Sequence, residues 1–253
     1  MIKQAKDLKI LIIQIRDDQT IRDLEMVEFS RFSGLNLDQF TVINVFDIPS
    51  FAPNVIENHD ALFVGGSSDA SGLESVAHPE KYPYAKKLRN LFVHCLEKEI
   101  PVFASCYGFE EVATAVGGTL VKDNKNVGKG FATIELTEDG KNDPLFKDMP
   151  DEFPAISWHS EKADYLPDNC TLLAKSETCP YLAIKIKNKP FYGFQFHPEI
   201  DKQGLIDRLT RYIDRYQSGD VEEMLKKIEQ ECPEVPEANK LVEKFVKKII
   251  LKQ

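Results

Sequence analysis

Aliphatic runs that alternate with helical patterns constrain the fold of this chain more than any other feature. Residues 9–15, KILIIQI, form a nearly unbroken run typical of a strand covered on both faces. The predicted strands of this part are 9–15, 40–45, 61–64 and 102–104, and the predicted helices are 20–35 and 83–98. This alternation predicts a doubly wound, mostly parallel α/β sheet with its ligand site at the carboxyl ends of the strands.

The pattern changes after Gly117, where short strand-like runs are separated by turn residues. These predicted strands are 119–121, 131–136, 155–158, 171–174, 181–186 and 191–196. We expect antiparallel pairing among them, with a hairpin turn at Lys187–Pro190. Helical patterns then follow over 204–217, 220–230 and 238–252. The sequence thus predicts a catalytic domain over 1–217, with an added antiparallel β portion, and a C-terminal helical extension over 218–253 packed on it.

Charge and cysteine content disfavour several classes of protein. The 253 residues include 32 Lys and Arg against 41 Asp and Glu, a formal net charge of −9. This surplus disfavours nucleic acid and anionic membranes as partners. The run Ile10–Ile13 is too short for a membrane span or a signal peptide. Because the five cysteines include no C-x-x-C pair, we expect neither a disulfide framework nor a thiolate zinc site, and a cytoplasmic setting.

The strongest chemical signal is the segment 102–111, VFASCYGFEE. A short apolar strand runs into Cys106, and the small residues around it suit the tight strand-to-helix turn of a nucleophile elbow. We expect the helix N-terminus to lower the pKa of the Cys106 thiol. For this cysteine taken alone, a buried structural role is the more common alternative.

Two further segments favour catalysis. Strand 61–64 ends in Gly65-Gly66, a turn that can present a backbone N–H to an oxyanion. The segment FYGFQFHPE ends a later strand at His197, with Glu199 two residues on. A cysteine nucleophile needs a base, and the base needs an acceptor that fixes its tautomer. Cys106, His197 and Glu199 can supply all three roles.

With the elbow, the glycine turn and the string QFHPE, the chain over roughly residues 8–217 resembles the class I glutamine amidotransferases. The resemblance implies that Cys106 is the nucleophile, His197 the base and Glu199 its orienting carboxylate. It also implies an oxyanion hole made by the backbone N–H groups of Gly66 and Tyr107.

Other segments resemble stand-alone proteins related to the glutaminase half of GMP synthase. In such chains the segment matching His159-Ser160 lines the substrate pocket, which makes both residues candidates for substrate binding. For His159 a structural role stays equally open. Two departures stand out: Ala104 replaces the usual glycine before the nucleophile, and Glu110 replaces the usual glutamine.

Glu110 should share a helix face with the sulfur, four residues after Cys106. Its charge would raise the thiol pKa and repel a substrate carboxylate, or attract a substrate ammonium. Similar strings occur in relatives that hydrolyse γ-glutamyl peptides. The alternative is that Glu110 is neutral or paired and changes little.

The leading functional prediction is hydrolysis of the glutamine side-chain amide, with ammonia released to a separate synthetase or other acceptor protein. We expect no metal and no organic cofactor. The first alternative is a free-standing γ-glutamyl hydrolase. The second is a non-catalytic regulatory or binding subunit on the same fold. The apolar stripe of the last predicted helix, from Leu241 to Ile250, allows packing on its own domain, a partner contact or a membrane surface.

Overall fold

The computed structural model describes residues 3–123, 130–212 and 220–253. Its strands are β1 (Ile10–Gln14), β2 (Phe40–Asn44), β3 (Ala61–Val64), β4 (Val102–Ser105), β5 (Thr119–Lys122), β6 (Gly130–Leu136), β7 (Glu152–Ser157), β8 (Glu161–Tyr165), β9 (Cys170–Lys175), β10 (Ala183–Ile186) and β11 (Phe191–Phe194). Its α-helices are α1 (Gln19–Ser33), α2 (Gly72–Ala77), α3 (Pro83–Lys98), α4 (Tyr107–Ala115), α5 (Glu138–Asn142), α6 (Lys202–Arg211), α7 (Asp220–Glu231) and α8 (Pro236–Lys244). A π-helical turn, Phe245–Ile250, continues α8.

A nine-stranded sheet in the order β2-β1-β3-β4-β11-β10-β9-β6-β7 forms the centre of the fold. The strands from β2 to β11 pair in parallel, and the strands from β11 to β7 pair antiparallel. Strands β5 and β8 form a separate antiparallel pair. The parallel part has the flavodoxin-like order, in which ligands bind beyond the carboxyl ends of the strands. The predicted doubly wound α/β fold with an added antiparallel portion is confirmed.

Both faces of the parallel strand β1 are covered, as its unbroken aliphatic run requires. Ile10 and Ile12 of β1 belong to one apolar cluster, together with residues of α1 and α8. Leu11 and Ile13 belong to a second cluster, which includes residues of α3 and α4. All four side chains are fully buried. Because successive side chains of a strand point to opposite faces, one continuous apolar run contributes to both cores.

Most predicted elements are present with shifts of a few residues; among the α-helices and strands of the described residues, three short ones were not predicted. The unpredicted elements are α2, α5 and β8, each of six residues or fewer. The predicted helix 204–217 corresponds to α6, which ends at Arg211. Residues 213–217 of that prediction, and the predicted boundary between 217 and 218, lie outside the described residues.

The last helix packs against the body of the protein, in contact with α1 and β7. The ring of Phe245 lies 5.7 Å from that of Phe63 and 5.5 Å from that of Phe103, centroid to centroid. On α8, the buried Asn239 donates from Nδ2 to the carbonyls of Pro198 (2.8 Å) and Ile200 (3.0 Å). Within the described ranges, no helix is long and apolar enough to cross a membrane.

Candidate active site

Cys106 lies at the point where β4 becomes α4, and its backbone is strained. Its φ of 49° and ψ of −107° place a non-glycine residue at positive φ, as a tight elbow requires. The Cys106 N–H donates to the Phe194 carbonyl on β11 at 2.7 Å, and its carbonyl accepts from the N–H of Glu110 at 3.0 Å. The surrounding strand and helix therefore hold the strained residue in place.

His197 and Glu199 form a buried pair beyond the end of β11. Nδ1 of His197 lies 2.8 Å from Oε1 of Glu199, and Ser105 Oγ donates to the same oxygen at 2.8 Å. The His197 N–H donates to the Ile156 carbonyl at 2.8 Å. Because Glu199 accepts at Nδ1, the neutral imidazole carries its proton there and leaves Nε2 as an acceptor.

Gly66 shows how closely the base and the nucleophile converge. A Cβ added to Gly66 would lie 2.5 Å from His197 Cε1, 3.4 Å from His197 Nε2 and 3.2 Å from Cys106 Cβ. Real Cβ atoms do not approach other heavy atoms as closely as 2.5 Å, so any other residue at this position would have to displace the imidazole. The structure thus brings the predicted turn, Cys106 and His197 together, with Glu199 behind the imidazole.

The thiol of Cys106 and the carboxyl of Glu199 have pKa values shifted in opposite directions. Burial is the main cause that raises the Cys106 pKa well above its usual value, and the charges of Glu110 and Glu199 add to it. Arg16 and the Tyr107 N–H act in the lowering direction but do not outweigh burial. The expectation of a lowered thiol pKa is therefore wrong for the resting site.

For Glu199, burial also acts to raise the pKa, but the charge of His197 and the hydrogen bonds from His197 and Ser105 outweigh it. The net result is a lowered pKa. Glu199 is therefore a stable carboxylate partner for an imidazolium ion.

A cavity of about 540 Å³ opens beside the nucleophile. Cys106, Glu110, His159 and Ser160 all line it, and so does Tyr107. The carboxyl ends of the parallel strands and the loop after β3 form this end of the molecule. The predicted substrate-binding residues therefore share one cavity with the sulfur.

The residue Glu110 is 5% exposed. Its Oε2 accepts from the Gly72 N–H at 3.1 Å, and Gln195 Nε2 lies 3.5 Å from Oε1. Burial first, and then the charge of Glu161, raises the pKa of Glu110 to about 8. At neutral pH the side chain is therefore mainly a neutral carboxylic acid, with the shape and uncharged state of the glutamine usual at this position.

Both ring nitrogens of His159 have partners within the protein. Nε2 lies 3.0 Å from Oδ2 of the buried Asp123, and Nδ1 lies 3.2 Å from Ser157 Oγ. The backbone N–H of Asp123 also donates to the Ser160 carbonyl at 2.7 Å. This network fixes the segment whose Trp158 carbonyl lies 3.9 Å from Cys106 Sγ. The geometry supports a structural role for His159 more than a contact with substrate.

Glu161 is a residue of the site that the sequence did not indicate. Its Oε1 accepts from Lys122 at 2.9 Å, and its Oε2 accepts from the Leu73 N–H at 2.9 Å. The carboxylate therefore fixes the start of α2 at the rim of the cavity. Only its position directly after Ser160 could have drawn attention to it.

In the part of the chain that the structure describes, no group of three or more His, Cys, Asp or Glu side chains is placed to hold a metal ion. All five cysteines are free thiols.

Sequence comparisons extend the resemblance to named proteins. The family model for class I glutamine amidotransferases matches residues 43–205. A GMP synthase (glutamine-hydrolyzing) of Thermosipho africanus is 34% identical over 116 residues, covering 46% of this chain and 22% of that protein. One subunit of the GMP synthase (glutamine-hydrolyzing) of Methanocaldococcus jannaschii is 34% identical over 118 residues, covering 47% of this chain and 61% of that subunit. The matches thus span about a fifth of the first protein and less than two thirds of the second.

Solved structures show the same architecture over nearly the whole chain. A glutamine amidotransferase from Thermotoga maritima superposes with a TM-score of 0.73 at 22% identity, covering 96% of this chain and 98% of that one. A glutamine amidotransferase from Methylobacillus flagellatus gives a TM-score of 0.67 at 16% identity, covering 95% of each chain. At these identities the likeness establishes a shared fold.

Proposed function

Because the chain belongs to the class I glutamine amidotransferase family, we propose that it hydrolyses the side-chain amide of glutamine through Cys106, His197 and Glu199. The observation that carries the proposal is that Cys106 and His197 come together at Gly66. A Cβ added to Gly66 would contact both side chains. Glu199 completes the arrangement at 2.8 Å from Nδ1. This arrangement supports the proposed roles of nucleophile, base and orienting acid.

In the first half of the proposed reaction, Sγ of Cys106 attacks the amide carbon while its proton passes to Nε2 of His197. The oxyanion that forms is stabilised by the backbone N–H groups of Gly66 and Tyr107. His197 then gives the proton to the departing nitrogen. The C–N bond breaks, ammonia leaves, and a thioester remains on Cys106.

In the second half, water attacks the thioester carbon and its proton passes to His197. The C–S bond breaks, glutamate leaves, and the proton returns to Cys106. Glu199 holds the imidazole in one tautomer throughout and stabilises the imidazolium form. The step needs no oxidant and no further reactant.

The raised pKa of Cys106 has a consequence for this sequence of steps. The resting site holds a neutral thiol, since burial and the charge of Glu199 oppose the thiolate. Proton transfer to His197 must therefore accompany attack on a bound substrate. A thiol of this kind is protected from reaction when no substrate is present.

The ammonia acceptor is part of the proposal. One curated relative is a single subunit of a GMP synthase, a name that implies a partner subunit. We propose that this chain likewise releases ammonia to a separate synthetase.

A second candidate function is hydrolysis of γ-glutamyl amides or peptides larger than glutamine. A cavity of about 540 Å³ is in the range that holds drug-sized ligands, so it leaves room beyond a single amino acid. Glu110 lines the cavity and, when ionised, would attract a cationic leaving group.

The test is glutamate release from glutamine and from a series of γ-glutamyl amides, including γ-glutamyl p-nitroanilide. Cys106→Ala should abolish turnover of every substrate, and Cys95→Ala, a buried cysteine on α3, is the matched control. A glutamine analogue with an electrophilic side chain should label the Cys106 peptide, as seen by mass spectrometry. Full turnover by Cys106→Ala, or an unlabelled and inactive wild type, would overturn the proposal.

A further inference from the structure

A buried ion pair outside the triad lies beneath the glycine turn. Nε of Arg16, which follows β1, lies 3.0 Å from Oε1 of Glu25 on α1. The two side chains are 2% and 1% exposed. Removing both charges from water is costly, and an ion pair in this position often stabilises a fold no better than apolar side chains would. Its presence at this place therefore suggests a role beyond stability.

The carboxylate of Glu25 packs directly on the backbone of the turn. A Cβ added to Gly65 would lie 2.6 Å from Oε1 of Glu25. A Cβ added to the next residue, Gly66, would lie 2.5 Å from His197 Cε1 and 3.2 Å from Cys106 Cβ. The ion pair and the reacting groups thus contact consecutive residues of one turn.

Two further contacts restrict this turn. The Gly65 carbonyl accepts from the Gly108 N–H of α4 at 3.2 Å. Nη1 of Arg16 lies 3.4 Å from Ser68 Oγ, on the far side of the two glycines. Arg16 and His197 also line a common small cavity of about 40 Å³.

We propose that Arg16 and Glu25 are positioning residues: their ion pair holds the Gly65-Gly66 turn so that the Gly66 N–H faces the forming oxyanion, and the Arg16 guanidinium stabilises negative charge at Cys106. The inference rests on the proposed function, because the oxyanion forms only if Cys106 attacks a carbonyl. It adds a pair of residues that neither the triad nor the oxyanion hole includes.

The electrostatic part rests first on geometry: Arg16 lines one cavity with His197, and its partner Glu25 lies against the turn that contacts Cys106. The charge of Arg16 acts to lower the pKa of the Cys106 thiol, against the larger effect of burial. Within a site of low polarity such an attraction is screened less than at the surface. Loss of the guanidinium should therefore raise the pKa of the Cys106 thiol.

The main test variant is Arg16→Met with Glu25→Gln, which removes both charges and leaves no buried ion unpaired. The matched control is Lys185→Met with Asp143→Asn, because Lys185 Nζ of β10 and the buried Asp143 Oδ2 form an ion pair, 2.9 Å apart, and neither residue lines the cavities that contain Cys106, His197 or Arg16. A further variant, Arg16→Lys, keeps the positive charge but loses the planar guanidinium group.

For the main variant we expect kcat on γ-glutamyl p-nitroanilide to fall at least tenfold, with KM within twofold, since an oxyanion contact acts mainly in the transition state. The pH midpoint of Cys106 alkylation by iodoacetamide, followed on the Cys106 peptide, should rise by at least half a unit. The control pair should leave both quantities near the wild-type values. Arg16→Lys should retain the midpoint and lose kcat.

A main variant that unfolds cooperatively, keeps kcat within twofold and keeps the alkylation midpoint would overturn the inference. If that variant does not fold, Arg16→Lys provides the test. A wild-type kcat in Arg16→Lys would show that the planar guanidinium is not needed, and this would also overturn the inference. If the control variant lost as much kcat as the main variant, the result would show that Arg16 has only a structural role. A wild type that releases neither glutamate nor p-nitroaniline contradicts the proposed function instead, and the alkylation midpoint still tests the charge of Arg16.

Discussion

Replacing Glu110 by glutamine should change the pH dependence of stability in a way that can be calculated. The residue is 5% exposed, and burial, followed by the charge of Glu161, raises the pKa of its carboxyl group from 4.5 to about 8. In the unfolded chain the same group loses its proton near pH 4.5. Between these values the folded state binds one proton more than the unfolded state.

Stability must therefore fall as the pH rises through this interval, because the unfolded chain releases a proton that the folded protein keeps. Each pH unit costs about 1.4 kcal/mol, which gives about 4 kcal/mol between pH 5 and pH 8. Glu110→Gln removes this loss. The variant should gain about 4 kcal/mol on the wild type over this range and little more above pH 8.

Urea unfolding at one-unit steps from pH 5 to pH 9 measures this difference. Glu97→Gln, an exposed position on α3, is the control and should follow the wild type at every pH. The same reasoning predicts that the ratio of glutamine to γ-glutamyl peptide turnover is alike for wild type and Glu110→Gln at pH 7, where Glu110 is mainly protonated. The ratios should diverge at pH 9. A stability difference that stays within 1 kcal/mol from pH 5 to pH 9 would refute the argument.

Three further outcomes test the site. His197→Ala should lower kcat/KM by ~10² or more because it removes both base and acid, and Glu199→Gln should lose less; equal, undiminished rates would point to another base. Gly66→Ala should lower kcat at least tenfold, since the new Cβ would lie 2.5 Å from His197 Cε1, and wild-type kinetics would show that the imidazole can move aside. Asn239→Ala should cost about 1–3 kcal/mol in urea unfolding and lower kcat, because two buried carbonyls beside Glu199 lose their donor; an unchanged unfolding midpoint would contradict this.

The parts of the fold and site that the sequence predicted are those with local signals. The aliphatic run before Gln14 predicts β1 because a strand covered on both faces needs no polar face. The elbow at Cys106 follows from small residues between a strand and a helix. The string around His197 pointed to the rest of the triad through a family resemblance, since spacing alone cannot bring residues 106 and 197 together.

What the sequence did not predict depends on contacts between distant segments. The thiol pKa is one case: the helix N-terminus is visible in the sequence, but the burial and the carboxyl groups that outweigh it are not. Arg16 and Glu25 are another, because charges beside a strand and on a helix look like solvated residues until both are found buried. Strand β8 and helix α2 are too short to show a periodic pattern.

The two hydrogen bonds from Asn239 also set the order in which the site can be assembled during synthesis. Asn239 follows Glu199 by 40 residues and holds the carbonyls on either side of it. At about 5–20 residues per second, a ribosome adds this stretch in ~2–8 s. Throughout that interval the nucleophile, the base and the acid have all been translated, but the loop that carries Glu199 lacks the two hydrogen bonds from Asn239. The nascent chain therefore completes its catalytic loop only after the ribosome has translated the segment that becomes α8.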